Sequence, residues 1–426
     1  MNILLKGGRV IDPSQDLDAP MDILIEGDRI ARLEQRIEPA ADRETVDLDG
    51  MIVSPGLIDM HTHLREPGFE YKETIRSGSE AAVAGGFTAV ACMANTEPVN
   101  DNRSVTEFIL KQARLADMAH VYPVAAVSRE LQGERLAEFG ELKDAGAVAL
   151  SDDGNPVEDS GLMRRTLEYA YSLGMPVMSH CEERGLAKGG VMNEGLVSTQ
   201  IGLQGIPSIA EDIMTVRDIA IAGYTNTAIH ISHVSTAGSV QAVRDAKRRG
   251  INVTAETAPH YFALTDESLK GYSTDFKMYP PLRTGSDMAA IRTGLADGTI
   301  DAIASDHAPH SSIEKDVEFD YAANGIIGLE TSLAVSLLLV TEGVLSLSDL
   351  IAKMSTNPAA ILKIPKGTLQ VGAAADITVI DTAKAWTVDR QRFRSKGRNC
   401  PFHGWQLKGK AVLTIVDGAV KYSELG

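Results

Sequence analysis

Apolar residues in the middle of the chain form eight short runs, separated by longer stretches with helical spacing. In segments 208–222 and 239–249, which lie between runs, apolar residues recur three and four positions apart, as in an amphipathic helix. Strands that alternate with helices in this way predict an α/β protein with a (β/α)8 TIM barrel, whose catalytic groups follow the C-terminal ends of the strands. The eight runs are residues 58–63, 89–93, 121–127, 147–151, 176–180, 228–232, 252–256 and 300–305.

The two ends of the chain have a different pattern, in which short β-type segments alternate with glycine-containing turns. Near the C-terminus, Asp417-Gly418 is typical of a hairpin turn. We therefore predict that residues 1–52 and 366–426 together form one small β domain, and that residues 53–365 form the barrel. The predicted terminal strands are residues 3–5, 22–26, 29–33, 376–381 and 410–416.

Composition limits the classes of partner. A formal net charge of -17 over 426 residues argues against nucleic acid, whose phosphates require a basic face. The three cysteines are far apart and indicate no disulfide framework, so we expect a cytoplasmic protein. The N-terminus becomes polar too early for a signal peptide. The longest uncharged apolar stretch, residues 332–340, is far shorter than the roughly 20 residues that cross a bilayer, so we expect no membrane association.

The first run ends in the sequence Asp59-Met60-His61-Thr62-His63. Residues two apart in a strand face the same side, so His61 and His63 are both expected to point into the mouth of the barrel. Two converging neutral imidazoles suit a divalent metal, most simply zinc. A His-x-His pair also occurs by chance or in a core, but its position after the first barrel strand favours a metal.

Further histidines follow the fifth and sixth runs. His180 ends the fifth run, where a packing role is the alternative to a metal ligand. His230 and His233 belong to the sixth run and lie three residues apart, which places them on opposite faces of a strand. His233 lies nearer the C-terminal end and is predicted to enter the mouth, whereas His230 is predicted to pack against the helical layer.

Carboxylates follow the fourth and eighth runs. Asp306 is placed where it can bind a metal and accept a proton from water, although capping a turn is a common alternative role. The adjacent His307 is expected to face the other way, while His310 lies in a loop that can reach substrate. The fourth run ends in Asp152-Asp153-Gly154, which is also a turn signal. Either aspartate can donate an oxygen to a metal, and spacing does not distinguish them.

These motifs together resemble the bacterial type I dihydroorotases of the amidohydrolase superfamily, over nearly the whole chain. The most specific segments are residues 63–68, His-Leu-Arg-Glu-Pro-Gly, and residues 305–310, Ser-Asp-His-Ala-Pro-His. The resemblance implies a distorted (β/α)8 barrel with a β-sandwich built from both termini. It also implies reversible, zinc-dependent interconversion of N-carbamoyl-L-aspartate and (S)-dihydroorotate in pyrimidine biosynthesis. The implied ligands of one or two zinc ions are His61, His63, Asp153, His180, His233 and Asp306.

The resemblance further assigns roles within this set and around it. Asp306 would also be the catalytic acid–base, and Asp153 would bridge two metals where many relatives use a carboxylated lysine. Arg65 would grip the substrate carboxylate, as a planar guanidinium can do with two hydrogen bonds. The chain departs from the family pattern at Tyr279, where an asparagine is expected, and at Asn324, where relatives often have an aromatic residue. The implied substrate contacts are Arg65, Asn95, His310, Tyr279, Asn324 and Gly325.

Two alternative functions remain at this point. One is a related cyclic amidohydrolase, an allantoinase or hydantoinase, although these usually carry a lysine after the fourth strand and their rings lack the carboxylate of dihydroorotate. The other is a non-catalytic barrel that supports aspartate transcarbamoylase, which would be expected to have lost metal ligands. Aspartate transcarbamoylase is therefore a candidate partner, and we also expect a homo-oligomer.

Overall fold

The structure is a computed structural model that describes residues 2–41 and 43–425. Within these residues, eight parallel strands form the barrel, and each lies within or overlaps one of the eight predicted runs. In chain order they are β1 (Leu57–Thr62), β2 (Phe87–Cys92), β3 (His120–Ala125), β4 (Ala149–Leu150), β5 (Met178–Ser179), β6 (Ile229–Ile231), β7 (Val253–Thr257) and β8 (Ala302–Ile303).

The barrel is assembled from two curled halves. Strands β1 to β4 pair side by side, as do β5 to β8. Parallel bridges between Leu150 and Val177, and between Thr62 and His307, join the halves at both seams. The closed barrel brings the C-terminal ends of all eight strands to one rim, where side chains from distant parts of the sequence can meet.

Helices surround the barrel, and their ends carry capping residues that the sequence encodes locally. Thr74 caps the helix that follows β1 through a reciprocal capping box with Ser77. The segments predicted at 208–222 and 239–249 are helical over Ile209–Thr225 and Ala237–Arg248. The helices are α1 (Ile75–Ala84), α2 (Arg103–Ala116), α3 (Phe139–Ala145), α4 (Ser160–Leu173), α5 (Arg184–Ala187), α6 (Leu196–Ile201), α7 (Ile209–Thr225), α8 (Ala237–Arg248), α9 (Pro259–Ala263), α10 (Gly285–Ala296), α11 (Ser312–Lys315), α12 (Ser332–Thr341), α13 (Leu347–Ile351) and α14 (Asn357–Leu362).

The two chain ends form a pair of sheets that pack face to face, as predicted. One sheet has the strand order Arg29–Glu34, Asp22–Glu26, Asn2–Lys6 and Glu44–Asp47. The other has the order Ala419–Ser423, Gln406–Val416, Ile377–Thr387, Ile52–Pro55, Arg9–Asp12 and Leu17–Pro20. Buried aliphatic side chains of both sheets, such as Ile23 and Ile415, form one core between them. Strand Ile52–Pro55 of this sandwich leads directly into β1, while the division at residues 52/53 and 365/366 stays a prediction.

The apolar interior has two parts that matter for the site. Side chains between the strands and the helices form the main core. A second cluster, which includes Met60, Val124 and Met178, fills the inside of the barrel and is closed from below by Leu362 of α14. The barrel is therefore a packed cylinder whose polar groups are concentrated at its rim.

A short two-stranded ribbon, Met192–Asn193 with Gly205–Ile206, lies in the long connection after β5. In the described part of the chain, no helix is long and apolar enough to cross a membrane.

Candidate metal centre and substrate pocket

Four histidines and two aspartates converge at the rim of the barrel, and all six side chains are buried. Each comes from the end of a strand or from the residues directly after it, as the barrel topology requires. The strands that supply them are β1, β4, β5, β6 and β8. The six residues are His61, His63, Asp153, His180, His233 and Asp306.

Asp153 lies at the centre of this cluster, and its two oxygens face all four histidines. Its Oδ1 is 3.3 Å from Nε2 of His61 and 3.2 Å from Nε2 of His233. The same oxygen is 3.6 Å from Nδ1 of His180, and Oδ2 is 3.5 Å from Nε2 of His63. A carboxylate with imidazoles on both oxygens has the geometry needed to bridge two ligand sets.

Asp306 approaches the same histidines from the opposite seam of the barrel. Its Oδ1 is 3.1 Å from Nε2 of His63 and 3.6 Å from Nε2 of His61. The potential ligand atoms of His61, His63 and Asp306 lie within 4.8 Å of one another, and so do those of His61, Asp153 and His233. Nε2 of His61 is buried and has no hydrogen-bond partner among the described residues. Imidazole nitrogens and carboxylate oxygens grouped in this way form a donor set compatible with a divalent metal.

The protonation of the cluster follows from these short distances. Burial alone would raise the pKa of Asp306, but the nearby His61 and His63 outweigh it and hold that pKa well below the ordinary carboxyl range. The pKa of Asp153 is lowered for the same reason, chiefly by His61. Both side chains are therefore carboxylates at neutral pH, which is the state that binds metals.

Asp152 and Asp153, which spacing did not separate, have different environments in the structure. Asp152 accepts hydrogen bonds from the backbone N–H groups of Val127 and Ser128, at 2.7 and 3.0 Å, which fix it to the end of β3. Burial raises its pKa to about 6. Asp153 is the residue that faces the histidines, while Asp152 holds the β4 loop against its neighbour.

Left-handed backbone conformations orient three residues of the site. The φ angles are 34° at His233, 48° at Asp306 and 63° at Arg65. Such values are uncommon for residues other than glycine and carry a free-energy cost of roughly 1–3 kcal/mol when the surroundings enforce them. At these positions the chain leaves the regular strand geometry, so the alternation of faces along a strand no longer sets side-chain direction.

His230 does not pack against the helical layer, and that expectation was wrong. It pairs in register with Met178, which belongs to the inside of the barrel. Its Nδ1 lies 2.8 Å from Oγ1 of Thr254, and its Nε2 lies 3.4 Å from Oε2 of Glu256. The other oxygen of Glu256 lies 2.7 Å from Nδ1 of His61. His230 thus lies inside the barrel, beneath the candidate ligands.

His307 faces away from the cluster, as predicted. Its Nδ1 accepts a hydrogen bond from the backbone N–H of Gly328 at 3.1 Å, and its Nε2 lies 3.4 Å from the carboxylate of Glu73. Glu73 also accepts a hydrogen bond from the hydroxyl of Ser395. These buried contacts anchor the β8 loop to α1 and to the C-terminal segment.

A second group of predicted residues lies beside the metal cluster, where we expect the substrate pocket. Nη2 of Arg65 is 3.3 Å from Nε2 of His310, and that Nε2 donates a hydrogen bond to the carbonyl of Asn324 at 2.8 Å. At Gly325, a side chain would place Cβ only 2.5 Å from the carbonyl oxygen of Ala308. Arg65, His310, Asn324 and Gly325 are therefore neighbours, although Asn324 approaches through its backbone and has an exposed side chain.

Two further predicted contacts lie against the candidate ligands. Oδ1 of Asn95 lies 2.9 Å from Nδ1 of His63 and accepts its proton if Nε2 is the metal-binding nitrogen. The ring of Tyr279 stacks on that of His180, with centroids 5.8 Å apart and planes 14° from parallel. Burial and the nearby Glu182 raise the pKa of the Tyr279 phenol, which therefore stays protonated. Tyr279 thus supports His180 and points its hydroxyl towards Glu182.

Cations around His310 keep its imidazole neutral. Burial, followed by the charges of Arg65 and Lys72, lowers the pKa of His310 to about 3. Nζ of Lys72 lies 3.5 Å from Nδ1 of His310 and pairs with Glu314 at 2.6 Å. The charge of Lys72 is compensated by Glu314, so Arg65 is the cation that can bind a small anion next to the neutral ring of His310.

Several residues that support the site escaped the sequence analysis. Nδ2 of Asn399 donates to the carbonyls of Ala308 and Gly325, both at 2.9 Å, and its Oδ1 accepts from the N–H of His310 at 3.2 Å. Glu256 ends the seventh predicted run, residues 252–256. An acidic residue at the end of an otherwise apolar strand is the sequence feature that indicates a role at the site. Nothing in the local sequence around Asn399 indicates its role.

Arg283 is a further buried residue that supports the site. Its Nε donates to Oγ of Ser235 at 3.1 Å and its Nη1 donates to the carbonyl of Ile206 at 3.0 Å. Ser235 follows His233 by two residues, so Arg283 fixes the loop that carries a candidate ligand.

Comparison with known proteins gives the family. A family model described as Dihydro-orotase-like matches residues 50–239, and one described as Amidohydrolase family matches residues 200–422. Among solved structures, an L-hydantoinase (dihydropyrimidinase) from Arthrobacter aurescens is 26% identical with a TM-score of 0.89, over 100% of this chain and 96% of that one. A D-hydantoinase (dihydropyrimidinase) from Thermus sp. is 25% identical with a TM-score of 0.83, over 99% and 95%.

Curated relatives are much more similar in sequence. A dihydroorotase from Syntrophus aciditrophicus is 60% identical over 100% of both chains. A dihydroorotase from Geobacter metallireducens is 56% identical over 99% of this chain and 100% of its own. The solved structures share the barrel and the terminal sheets at low identity, whereas these relatives match along the full length at more than half of all positions. The chain therefore belongs to the dihydroorotase family of amidohydrolases.

Proposed function

We propose that the protein is a dihydroorotase, a cyclic amide hydrolase that interconverts (S)-dihydroorotate and N-carbamoyl-L-aspartate. The observation that carries the proposal is the cluster of four histidines and two aspartates directly beside the Arg65–His310 pocket, in a chain 60% identical to a dihydroorotase over its full length. The first group suits amide hydrolysis, and the second suits a substrate with a carboxylate.

Zinc is the metal that we propose for the cluster, in one or two ions per chain. His61, His63, Asp153, His180, His233 and Asp306 would hold it, with Asp153 between the two sets of histidines. When bound, zinc polarises a carbonyl oxygen and lowers the pKa of water to about 7.

Side chains of the protein bind the substrate and transfer the proton. Arg65 binds the carboxylate of dihydroorotate, while Asn95 and His310 offer hydrogen bonds to the polar atoms of the ring. Asp306 accepts the proton of the attacking water and delivers it to the ring nitrogen as the carbon–nitrogen bond breaks. In the direction of ring closure, the carbamoyl nitrogen bonds to the side-chain carboxyl carbon while Asp306 takes the proton from that nitrogen. As a carbon–oxygen bond of the carboxyl group breaks, Asp306 passes the proton to the departing hydroxide, which leaves as water. Tyr279 would border the substrate beside His180, and the carbonyl of Asn324 would border it beside His310.

The test combines metal content with turnover on the isolated protein. We expect the purified chain to contain one or two zinc ions, to lose turnover of dihydroorotate after chelation, and to recover it when zinc is restored. Hydantoin serves as the competing substrate, because the similar solved structures are hydantoinases. Turnover of hydantoin but not dihydroorotate would replace the proposal with a hydantoinase, and zinc binding without either activity would favour a non-catalytic barrel.

Assembly is a further part of the proposal, and we infer a homo-oligomer. Helix α7 exposes Ile209, Ile213, Val216 and Tyr224 along one stripe, and Val216 is 55% exposed. Two copies related by a twofold axis would cover this apolar stripe if the α7 helices paired antiparallel. Size-exclusion chromatography with light scattering should find a dimer or larger, and Val216→Glu should shift it towards the monomer.

Two other expectations remain predictions. Aspartate transcarbamoylase as a partner is tested by mixing the two purified proteins and comparing dihydroorotate turnover before and after. A cytoplasmic location agrees with Cys92, Cys181 and Cys400, which are buried and form no disulfide among the described residues.

A further inference from the structure

A chain of buried polar side chains runs from His61 down into the barrel. Nδ1 of His61 lies 2.7 Å from Oε1 of Glu256, and Oε2 of Glu256 lies 3.4 Å from Nε2 of His230. Nδ1 of His230 in turn lies 2.8 Å from Oγ1 of Thr254. The side chains of His61 and Glu256 are 0% exposed and that of His230 is 1% exposed. The series links β1, β7 and β6 inside the barrel.

The positions of the protons in this series follow from metal binding at His61 and from the carboxylate of Glu256. Nε2 of His61 faces Asp153 and Asp306, so a metal bound there takes its lone pair and leaves the proton on Nδ1. That proton is donated to Oε1 of Glu256, which acts as an acceptor. At the far end, Nε2 of His230 faces Oε2 of Glu256, and because a carboxylate oxygen only accepts, the proton of a neutral His230 belongs on Nε2. Nδ1 of His230 is then the acceptor of the Thr254 hydroxyl proton.

The carboxylate of Glu256 needs both neighbours. A buried carboxylate without compensation is strongly destabilising, and here each oxygen of Glu256 faces one imidazole nitrogen, of His61 at 2.7 Å and of His230 at 3.4 Å. At 3.4 Å, the contact between Glu256 and His230 is longer than an ordinary hydrogen bond. Neither atom has another hydrogen-bond partner among the described residues, so each is the nearest group that can satisfy the other.

We propose that Glu256 and His230 are positioning residues for the metal centre, which act through His61. Glu256 fixes the tautomer and ring orientation of His61, and His230, aligned by Thr254, holds Glu256 in place. Carboxylates that accept the second N–H of a metal-bound histidine make that histidine a better ligand, and removing them typically weakens metal binding by about 10–100-fold. The inference rests on the proposed zinc-dependent function, but it is tested through metal affinity and not through turnover.

The experiment measures the dissociation constant for zinc alone, by competition with a chromophoric chelator, on the full-length protein. Glu256→Gln should weaken zinc binding by about 10–100-fold. His230→Leu should weaken it several-fold, whereas His230→Gln, which keeps a donor towards Glu256, should retain most of the affinity. Thr215→Val is the matched control, because Thr215 is equally buried but pairs with Ser239 and not with this series. We expect the control to match the wild type.

Imidazole nitrogen shifts in NMR spectra give a second readout that a merely structural role would not move. In the wild type, His61 should be protonated at Nδ1 alone, and in Glu256→Gln it should show a mixture of tautomers. Zinc affinity within twofold of the wild type in both Glu256→Gln and His230→Leu would overturn the inference. If Glu256→Gln fails to fold, the His230→Gln and His230→Leu pair still decides, and if His230→Leu fails to fold, the zinc affinity and the NMR shifts of Glu256→Gln decide. A wild type that binds zinc but does not turn over dihydroorotate overturns the proposed function alone, whereas one that binds no zinc overturns both.

Discussion

Replacing Asn399 with alanine tests whether the C-terminal segment holds the substrate pocket in shape. The side chain of Asn399 is 2% exposed and joins three backbone groups of two loops, at Ala308, His310 and Gly325. Truncation removes all three hydrogen bonds at once. The carbonyl of Gly325 keeps a contact with Nζ of Lys315 at 3.1 Å, so the groups at Ala308 and His310 lose the most.

The magnitude follows from the desolvation of these two groups. A buried backbone donor or acceptor left without a partner costs about 1–3 kcal/mol, so two of them correspond to about 2–6 kcal/mol, which any water that enters the space reduces. Since the affected loop carries His310, part of this free energy is lost from substrate binding. If the binding of the transition state becomes weaker by about 1.4–2.8 kcal/mol, kcat/KM falls by about 10–100-fold.

The assay compares kcat/KM for dihydroorotate, zinc content and the temperature of unfolding in Asn399→Ala and in a control. Asn357→Ala is the control, because its side chain donates one hydrogen bond, to the carbonyl of Asp301 at 2.8 Å, below the start of β8 and away from the rim. We expect lower stability in both variants, retained zinc in both, and lower kcat/KM in Asn399→Ala alone. If kcat/KM stays within twofold while the unfolding temperature falls, Asn399 stabilises the fold without shaping the pocket.

Further predictions concern catalysis, pH and cysteine chemistry. Asp306→Asn should lower kcat by at least about 100-fold, because the side-chain amide of asparagine cannot accept the proton of the attacking water. Near-normal turnover in this variant would refute the role assigned to Asp306. Burial raises the pKa of Glu330 from 4.5 to about 7, so the folded state binds more protons than the unfolded state between these values and stability falls as pH rises through that window. Glu330→Gln should therefore unfold at a higher temperature than the wild type at pH 8 but not near pH 4, as followed by circular dichroism. Burial also raises the pKa values of Cys92, Cys181 and Cys400, so all three should resist iodoacetamide at pH 8 until the protein is unfolded, and rapid labelling of the native protein would contradict their burial.

The architecture was predictable because it depends on short-range pattern. Apolar runs of strand length predict a parallel sheet that is buried on both faces. In a (β/α)8 barrel, the helices between the runs cover the outer face, and side chains of the strands fill the inside. Each of the eight runs overlaps a barrel strand, and the β-type segments of both termini form the paired sheets. The same pattern predicts the candidate ligands, because each of them lies at or just after the C-terminal end of a predicted strand, and these ends form one rim of the barrel.

Side-chain direction was predictable only where the strand stayed regular. His233 and Asp306 adopt left-handed φ values after their strands, so counting residues does not give the direction of their side chains. The prediction for His230 was wrong because both faces of a barrel strand are buried, so the polarity of a residue does not tell which face it is on. A histidine can satisfy its nitrogens on the inner face when an acid such as Glu256 lies opposite.

The sequence by itself determined the order of strands and helices, the terminal sheets and the set of ionisable residues at the strand ends. Those features depend on apolar spacing and turn chemistry, which act over a few residues. Tertiary structure alone decided that Asp153 and not Asp152 faces the histidines, that Glu256 supports His61, and that Asn399 holds a loop 89 residues away. Each of these depends on which buried polar group finds a partner in space, and such pairing is settled only when the barrel closes and water is excluded.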